Sequence, residues 1–234
     1  MKFEQKFSGS SGNLYTLESS TGQRLMIDPG VTWTKILKAL NYDLKGIVGC
    51  VGSHLHQDHL KAAKDVMRAG INLYASVETL ESIGESNHRA KVLKVGEWQT
   101  IGDFEVMSFD VNHDCPGAVG FIIKSGDESM LFMTDSSHLD YTFETKFDIV
   151  VLECSYDREY LEKRVREGTI NKAVATRLLT SHMEEKETLR TLQNFINLEK
   201  CHEIHLIHCS ADNLNKERIR KEFEDELFIK VITI

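Results

Sequence analysis

The chain is built of short apolar runs, each closed by a cluster of small or polar residues. Residues 1–7 alternate, Phe3 and Phe7 against Lys2, Glu4 and Lys6, and predict a first strand. The turn-prone stretch Ser8-Gly9-Ser10-Ser11-Gly12-Asn13 leads to a strand over 14–18. Thr21-Gly22-Gln23 then turns the chain into a strand over 24–28 that Pro29-Gly30 ends. Short strands joined by tight turns predict one antiparallel edge of a sheet. A helix is expected over 32–40. After the apolar strand Gly46-Ile47-Val48-Gly49-Cys50-Val51, a second is expected over 58–69, where Leu60, Ala63, Val66 and Met67 recur at helical spacing. A strand over 71–75, a short helix over 77–83 and a polar loop over 84–89 follow.

Beyond the loop, apolar runs predict strands over 92–95, 104–111, 117–123, 130–135 and 147–152. Mixed charges over 158–166 read as a helix with a solvated face. A long helix is expected to open at Thr180-Ser181-His182-Met183 and run to 198, with Leu189, Leu192, Phe195 and Ile196 as its apolar face. A strand ending at His208, a helix over 214–226 and a strand over 228–234 close the chain. Two comparable sets of strands and helices imply an α/β protein. The layer solution is an αββα sandwich of two mixed β-sheets with outer helices, here a single domain over 1–234.

Composition narrows the class. With 234 residues the chain is long enough for a substantial core, and 41% hydrophobic with 27% charged residues is ordinary for a globular protein. No apolar run reaches the roughly eighteen residues of a membrane span. The alternating N-terminus lacks a signal peptide's apolar centre, so a cytoplasmic protein without membrane partners is expected. Cys50, Cys115, Cys154, Cys201 and Cys209 form no CxxC pair and are expected to be reduced thiols. A net charge of -8 argues against a general electrostatic grip on a long polynucleotide, although bound divalent cations would reverse the sign locally.

The chemistry concentrates in Ser53-His54-Leu55-His56-Gln57-Asp58-His59-Leu60, at a strand-to-helix turn. In extended chain His54 and His56 point to one side, so a single cation can take both imidazoles. Asp58 and His59 open the helix and project differently, which suits a second cation. Asp135 ends the apolar run Met130-Leu131-Phe132-Met133-Thr134, where an unpaired carboxylate would be costly without a cation. His113 and His208 also sit at strand ends. His205 faces away from His208 along its strand, and His88, His138 and His202 belong to no pattern. The bland alternatives are a solvated turn for residues 53–60 and a capping or turn aspartate at Asp28.

On these residues the sequence resembles the metallo-β-lactamase-fold hydrolases, over nearly the whole chain. The Ser8–Asn13 opening, His113-Asp114-Cys115-Pro116-Gly117 and His208-Cys209-Ser210-Ala211-Asp212-Asn213 are similar to the WalJ-like branch, exonucleases acting on DNA. That branch carries an asparagine where Ser155 stands in Glu153-Cys154-Ser155-Tyr156-Asp157. The resemblance implies metal ligands His54, His56 and His113 for one divalent cation and Asp58, His59 and His208 for a second. Asp135 would bridge the two and Asp28 would support the histidines from behind. It also implies catalytic roles for Asp58 and for His182, which resembles a histidine that ribonuclease Z-like and WalJ-like proteins place against the scissile phosphate. Nitrogen and oxygen ligands suit zinc first, with manganese or iron as alternatives.

The implied activity is metal-dependent hydrolysis of phosphodiesters. The substrate class is nucleic acid, cleaved from an end, or a cyclic nucleotide. Thioester or lactone hydrolysis, and a non-catalytic binding role, are the alternatives, and a homodimer is left open.

Overall fold

The computed structural model describes residues 1–84, 87–210 and 212–233. Of the expected elements, Glu85 and Ser86 in the polar loop, Ala211 in the turn after His208 and Ile234 in the final strand lie outside the described residues. The chain forms two compact units, one of residues 1–110 and 115–128, the other of 111–114 and 129–234.

In the first unit β1 (Lys2–Phe7), β2 (Leu14–Glu18) and β3 (Arg24–Ile27) pair antiparallel, as the turn spacing predicts. α1 (Trp33–Ala39) follows, and β4 (Ile47–Val51) joins β3 in parallel. α2 (Gln57–Leu60), α3 (Ala63–Arg68), β5 (Leu73–Ala75), α4 (Val77–Ile83) and β6 (Ala90–Val92) complete this part, with β5 and β6 extending the parallel side. Ile36, Leu60, Ala63, Val66 and Met67 bury their side chains against Leu14, Met26, Cys50 and Leu73 of the sheet. β7 (Trp98–Ile101), β8 (Phe104–Asp110) and β9 (Val119–Ser125) then form an antiparallel meander.

The second unit is a parallel sheet. It contains β10 (Glu128–Met133), β12 (Ile149–Glu153), β14 (Glu203–Ile207) and β15 (Lys230–Thr233), while β11 (Phe143–Lys146), which follows β10 in the chain, pairs with β13 (Ile196–Asn197) in a separate two-stranded sheet. Its helices are α5 (Arg158–Arg166), α6 (Lys172–Ser181), α7 (Glu185–Asn194) and α8 (Lys216–Leu227). Every residue of β12 is buried, as are the last five of β10, so these strands read as continuous apolar runs rather than alternating ones. Among the described residues no helix is long and apolar enough to cross a membrane.

Two expected helices are broken, each by a partner distant in sequence. A continuous helix over 58–69 would bond the Ala62 amide to the Asp58 carbonyl. Instead Ala62 donates to the Pro29 carbonyl at 2.9 Å, and the Asp58 carbonyl accepts from the backbone and side-chain nitrogens of Asn13 at 2.7 and 3.0 Å. The helix expected over 180–198 is likewise two. α6 stops at Ser181, residue 182 is extended, and α7 starts where the Glu185 amide bonds to the Tyr156 carbonyl at 2.9 Å. His182 therefore follows one helix rather than opening another. The pattern also leaves α6, β7, β11 and β13 undetected, and it places strand 92–95 where β6 ends at Val92.

Gly30 stands at the first of these breaks. Its amide donates to the Asn13 carbonyl at 2.7 Å, and a Cβ added there would overlap the Asp58 carbonyl oxygen. Gly30→Ala is accordingly expected to cost about 1–3 kcal/mol, as overpacking does. Urea unfolding measures it, and a variant as stable as the parent would show that the Asp58 turn has room to spare.

Candidate metal centre

Each unit carries a cluster of ionisable side chains just past the C-terminal ends of its parallel strands. In the first, the register pairs Ile27 of β3 with Val51 of β4, which brings Asp28 beside Ser53. Asp28 is fully buried and takes a left-handed backbone, φ 52°. Its carboxylate accepts from the Ser53 amide at 2.7 Å and the Ser53 hydroxyl at 2.8 Å, and it faces His59 Nδ1 at 2.8 Å. A carboxylate can only accept, so His59 carries its proton on Nδ1 and turns the lone pair of Nε2 outward. That Nε2 lies 3.1 Å from the Asn13 side-chain nitrogen and 3.5 Å from an Asp58 carboxylate oxygen.

His54 and His56 do face one another. Their Nε2 and Nδ1 atoms are 3.0 Å apart, with the rings edge to face. Two tetrahedral zinc–nitrogen bonds would hold such nitrogens about 3.3 Å apart, so the pair is close to the spacing a shared cation requires. The Ser53 hydroxyl, 3.0 Å from His54 Nδ1, orients the first ring from behind.

In the second unit Met133, Leu152 and Leu206 stand in register on adjacent strands, so the residues just beyond them meet. Asp135 and His208 follow β10 and β14 in left-handed conformations, φ 46° and 53°, and Glu153 ends β12. Non-glycine residues cost roughly 1–3 kcal/mol in such a conformation and are kept where function fixes them. Of the six such residues among the described ones, Asp28, Asp135 and His208 are in these clusters. One ligand atom each from Asp135, Glu153, His182 and His208 falls within 4.8 Å of the others, and all four residues are buried. His113 lies beside them, its Nε2 3.8 Å from Asp135 and its Nδ1 held at 3.0 Å by the Ser181 carbonyl.

Glu153 is the site residue that the motif analysis passes over. It is completely buried, 2.7 Å from His182 Nδ1 and 3.2 Å from His208 Nδ1, and its second oxygen accepts from the Ser136 amide at 3.0 Å. Burial by itself would push its carboxyl up, but the neighbouring imidazoles His182 and His208 outweigh it and hold the pKa below the ordinary value. Burial would also lower His182, yet the charge and hydrogen bond of Glu153 prevail and raise it. His113 goes the other way, lowered by burial against the pull of Asp135. The His182 and His208 rings stack in parallel at 5.2 Å. His205 instead bonds Glu203 at 2.9 Å, and His138 sits with Asn112 and Asp140, both outside the clusters.

Residues 23–205 match the model of the beta-lactamase superfamily domain. The chain belongs to this superfamily. It is 27% identical to exodeoxyribonuclease WalJ of Streptococcus pneumoniae, across 92% of this chain and 84% of that protein. It is 25% identical to exodeoxyribonuclease YycJ of Bacillus anthracis, across 94% and 86%. The metallo-β-lactamase fold protein YhfI from Bacillus subtilis superposes with a TM-score of 0.75 at 16% identity, covering 99% of this chain and 95% of that one. The α/β metallo-β-lactamase fold and a metal-dependent hydrolase of this superfamily, both indicated by the motifs, are thereby supported, and the likeness to the WalJ-like branch is shared with the two exodeoxyribonuclease relatives.

The donor sets fit divalent cations: imidazoles whose far nitrogens are fixed by Asp28, Ser53 or the Ser181 carbonyl, and buried carboxylates at strand ends. Asp28 acts through His59 and through Ser53, which orients His54, whereas Asp135 offers its own oxygens. Asp28→Ala is therefore expected to weaken zinc binding by about 10–100-fold, and Asp135→Ala by more. Calorimetric titration of zinc into chelator-treated protein separates the two, and equal losses would abolish the distinction.

Proposed function

We propose that this superfamily member is a two-metal phosphodiesterase that removes nucleotides from a DNA end. His54, His56 and His113 would hold one cation and Asp58, His59 and His208 the other, with Asp135 shared. Zinc is the first choice, manganese or iron the alternatives. Bound there, the cations supply Lewis acidity toward phosphoryl oxygens and make water a stronger acid.

The observation that carries the reading is the buried Glu153–His182 pair. A departing ribose oxygen is a poor leaving group and needs a proton as its bond to phosphorus breaks. His182 is placed to supply it. Glu153 engages Nδ1 and favours the imidazolium, which leaves the Nε2 proton for transfer. The stacked His208 ring keeps water from one face of His182, and the Ser181 carbonyl ties His113 to the same short segment. The two exodeoxyribonuclease relatives favour DNA over the thioester and lactone readings. The net charge of -8 counts the site's own carboxylates, and a chain end asks for a local grip rather than a long basic track.

Removing the acid separates leaving groups. His182→Ala is expected to slow DNA hydrolysis by roughly 10²–10⁴-fold. Bis-p-nitrophenyl phosphate should suffer much less, because p-nitrophenolate leaves without a proton, and elemental analysis should find the metals retained. Equal losses on both substrates, or a stripped metal, would remove His182 from the role of acid. Wild-type protein loaded with zinc or manganese that leaves DNA ends intact would overturn the phosphodiesterase reading itself.

A further inference from the structure

Beside His182 the second unit opens a cleft of about 520 Å³, within the range of small-ligand sites. Its lining is mixed. Leu139 and Tyr156 are buried, Phe195 is half-buried, and Arg158 and Arg190 stand at the rim. Glu184 pairs with Arg158 at 2.7 Å and Glu187 with Arg190 at 3.0 Å. Both rim cations are thus already neutralised, so the cleft is poorly suited to trap a bare anion. It suits a flat, uncharged group with hydrogen-bonding edges.

Two features point to such a group. Tyr156 is 1% exposed and its ring packs with Leu161 and Ala175, yet its hydroxyl makes no hydrogen bond among the described residues and the side chain lines the cleft. The hydroxyl itself keeps contact with the solvent of the cleft, so a ligand's acceptor can reach it without displacing a bond within the protein. Burial also pushes this phenol up to about 12, so it remains a donor across the physiological range. The second feature is Arg190, whose guanidinium carbon lies 5.3 Å from the centre of the Phe195 ring. Its side chain is 59% exposed, and planar guanidinium groups and aromatic rings are the surfaces on which nucleobases stack.

We propose that this cleft receives the nucleoside attached to the leaving oxygen, its base stacked on the Arg190–Phe195 pair and an acceptor of the base or sugar taking the Tyr156 hydroxyl hydrogen bond. The assignment rests on the phosphodiesterase reading and adds where the departing group sits. The group that His182 protonates would then be held by the wall His182 shares with Tyr156 and Arg158. Specificity for a nucleoside over other alcohols would come from this wall, outside the proposed metal ligands.

The test is titration of the whole protein with deoxyadenosine monophosphate, with inorganic phosphate as the reference ligand lacking a nucleoside. Wild-type protein is expected to bind the nucleotide more tightly than phosphate. Tyr156→Phe keeps the ring and removes one hydrogen bond, and should reduce that preference about 3- to 10-fold. Arg190→Ala alters an exposed side chain and should reduce it at least as much. Thermal melts confirm that both variants fold, and the exposed Arg190 keeps the test valid if Tyr156→Phe does not. A wild type with no preference for the nucleotide, or a preference unchanged in both variants, would overturn the cleft's assignment. DNA hydrolysis by the wild type would still stand as a separate result.

Discussion

A carboxylate buried at the end of a strand must be surrounded by donors, and this chain meets that constraint three times. Asp28, Asp135 and Glu153 are 0%, 2% and 0% exposed. Asp28 has both Ser53 donors and His59. Glu153 has His182, the Ser136 amide and the nearby His208. Asp135 takes the Thr134 hydroxyl at 2.8 Å and sits within 3.8 Å of both His113 and His208. Removing one partner of such a group costs about 3–5 kcal/mol, because the charge stays behind in a dry site. The left-handed turns at Asp28, Asp135 and His208 add strain that only fixed surroundings repay. The strands set the positions of the carboxylates, and the carboxylates set the rings and protons of the histidines.

The helices yield to the same demand. The break between α2 and α3 exchanges one helical bond for bonds from Ala62 to Pro29 and from Asn13 to Asp58, which ties the histidine motif to the N-terminal strands. The break between α6 and α7 straightens the chain at His182, and Met183 accepts a bond from the Ser155 amide at 2.9 Å. An uninterrupted helix would carry His182 at helical pitch, away from Glu153. At the second break a short loss of regular structure puts an imidazole against a buried carboxylate.

Local pattern was enough for a large share of this. Alternation and turn residues identify the three antiparallel strands at the N-terminus, and the spacing of His54, His56, Asp58 and His59 announces a site at a strand-to-helix turn. Asp135 is legible because a carboxylate with no Lys or Arg beside it in sequence ends an apolar run. The same rule applied to the run before Glu153 would have found that residue too. What only the tertiary structure decides is whatever depends on a distant partner. Asn13 holds a residue 45 positions away, and Glu153 meets His182 across 29. Tyr156 becomes notable only when its hydroxyl is seen to reach the cleft without a bond inside the protein. Periodicity reports which face of a segment avoids water; it does not report which backbone carbonyl a remote side chain will claim. A helix written over 58–69 by its apolar spacing is therefore cut at the position where Asn13 competes for the Asp58 carbonyl and wins.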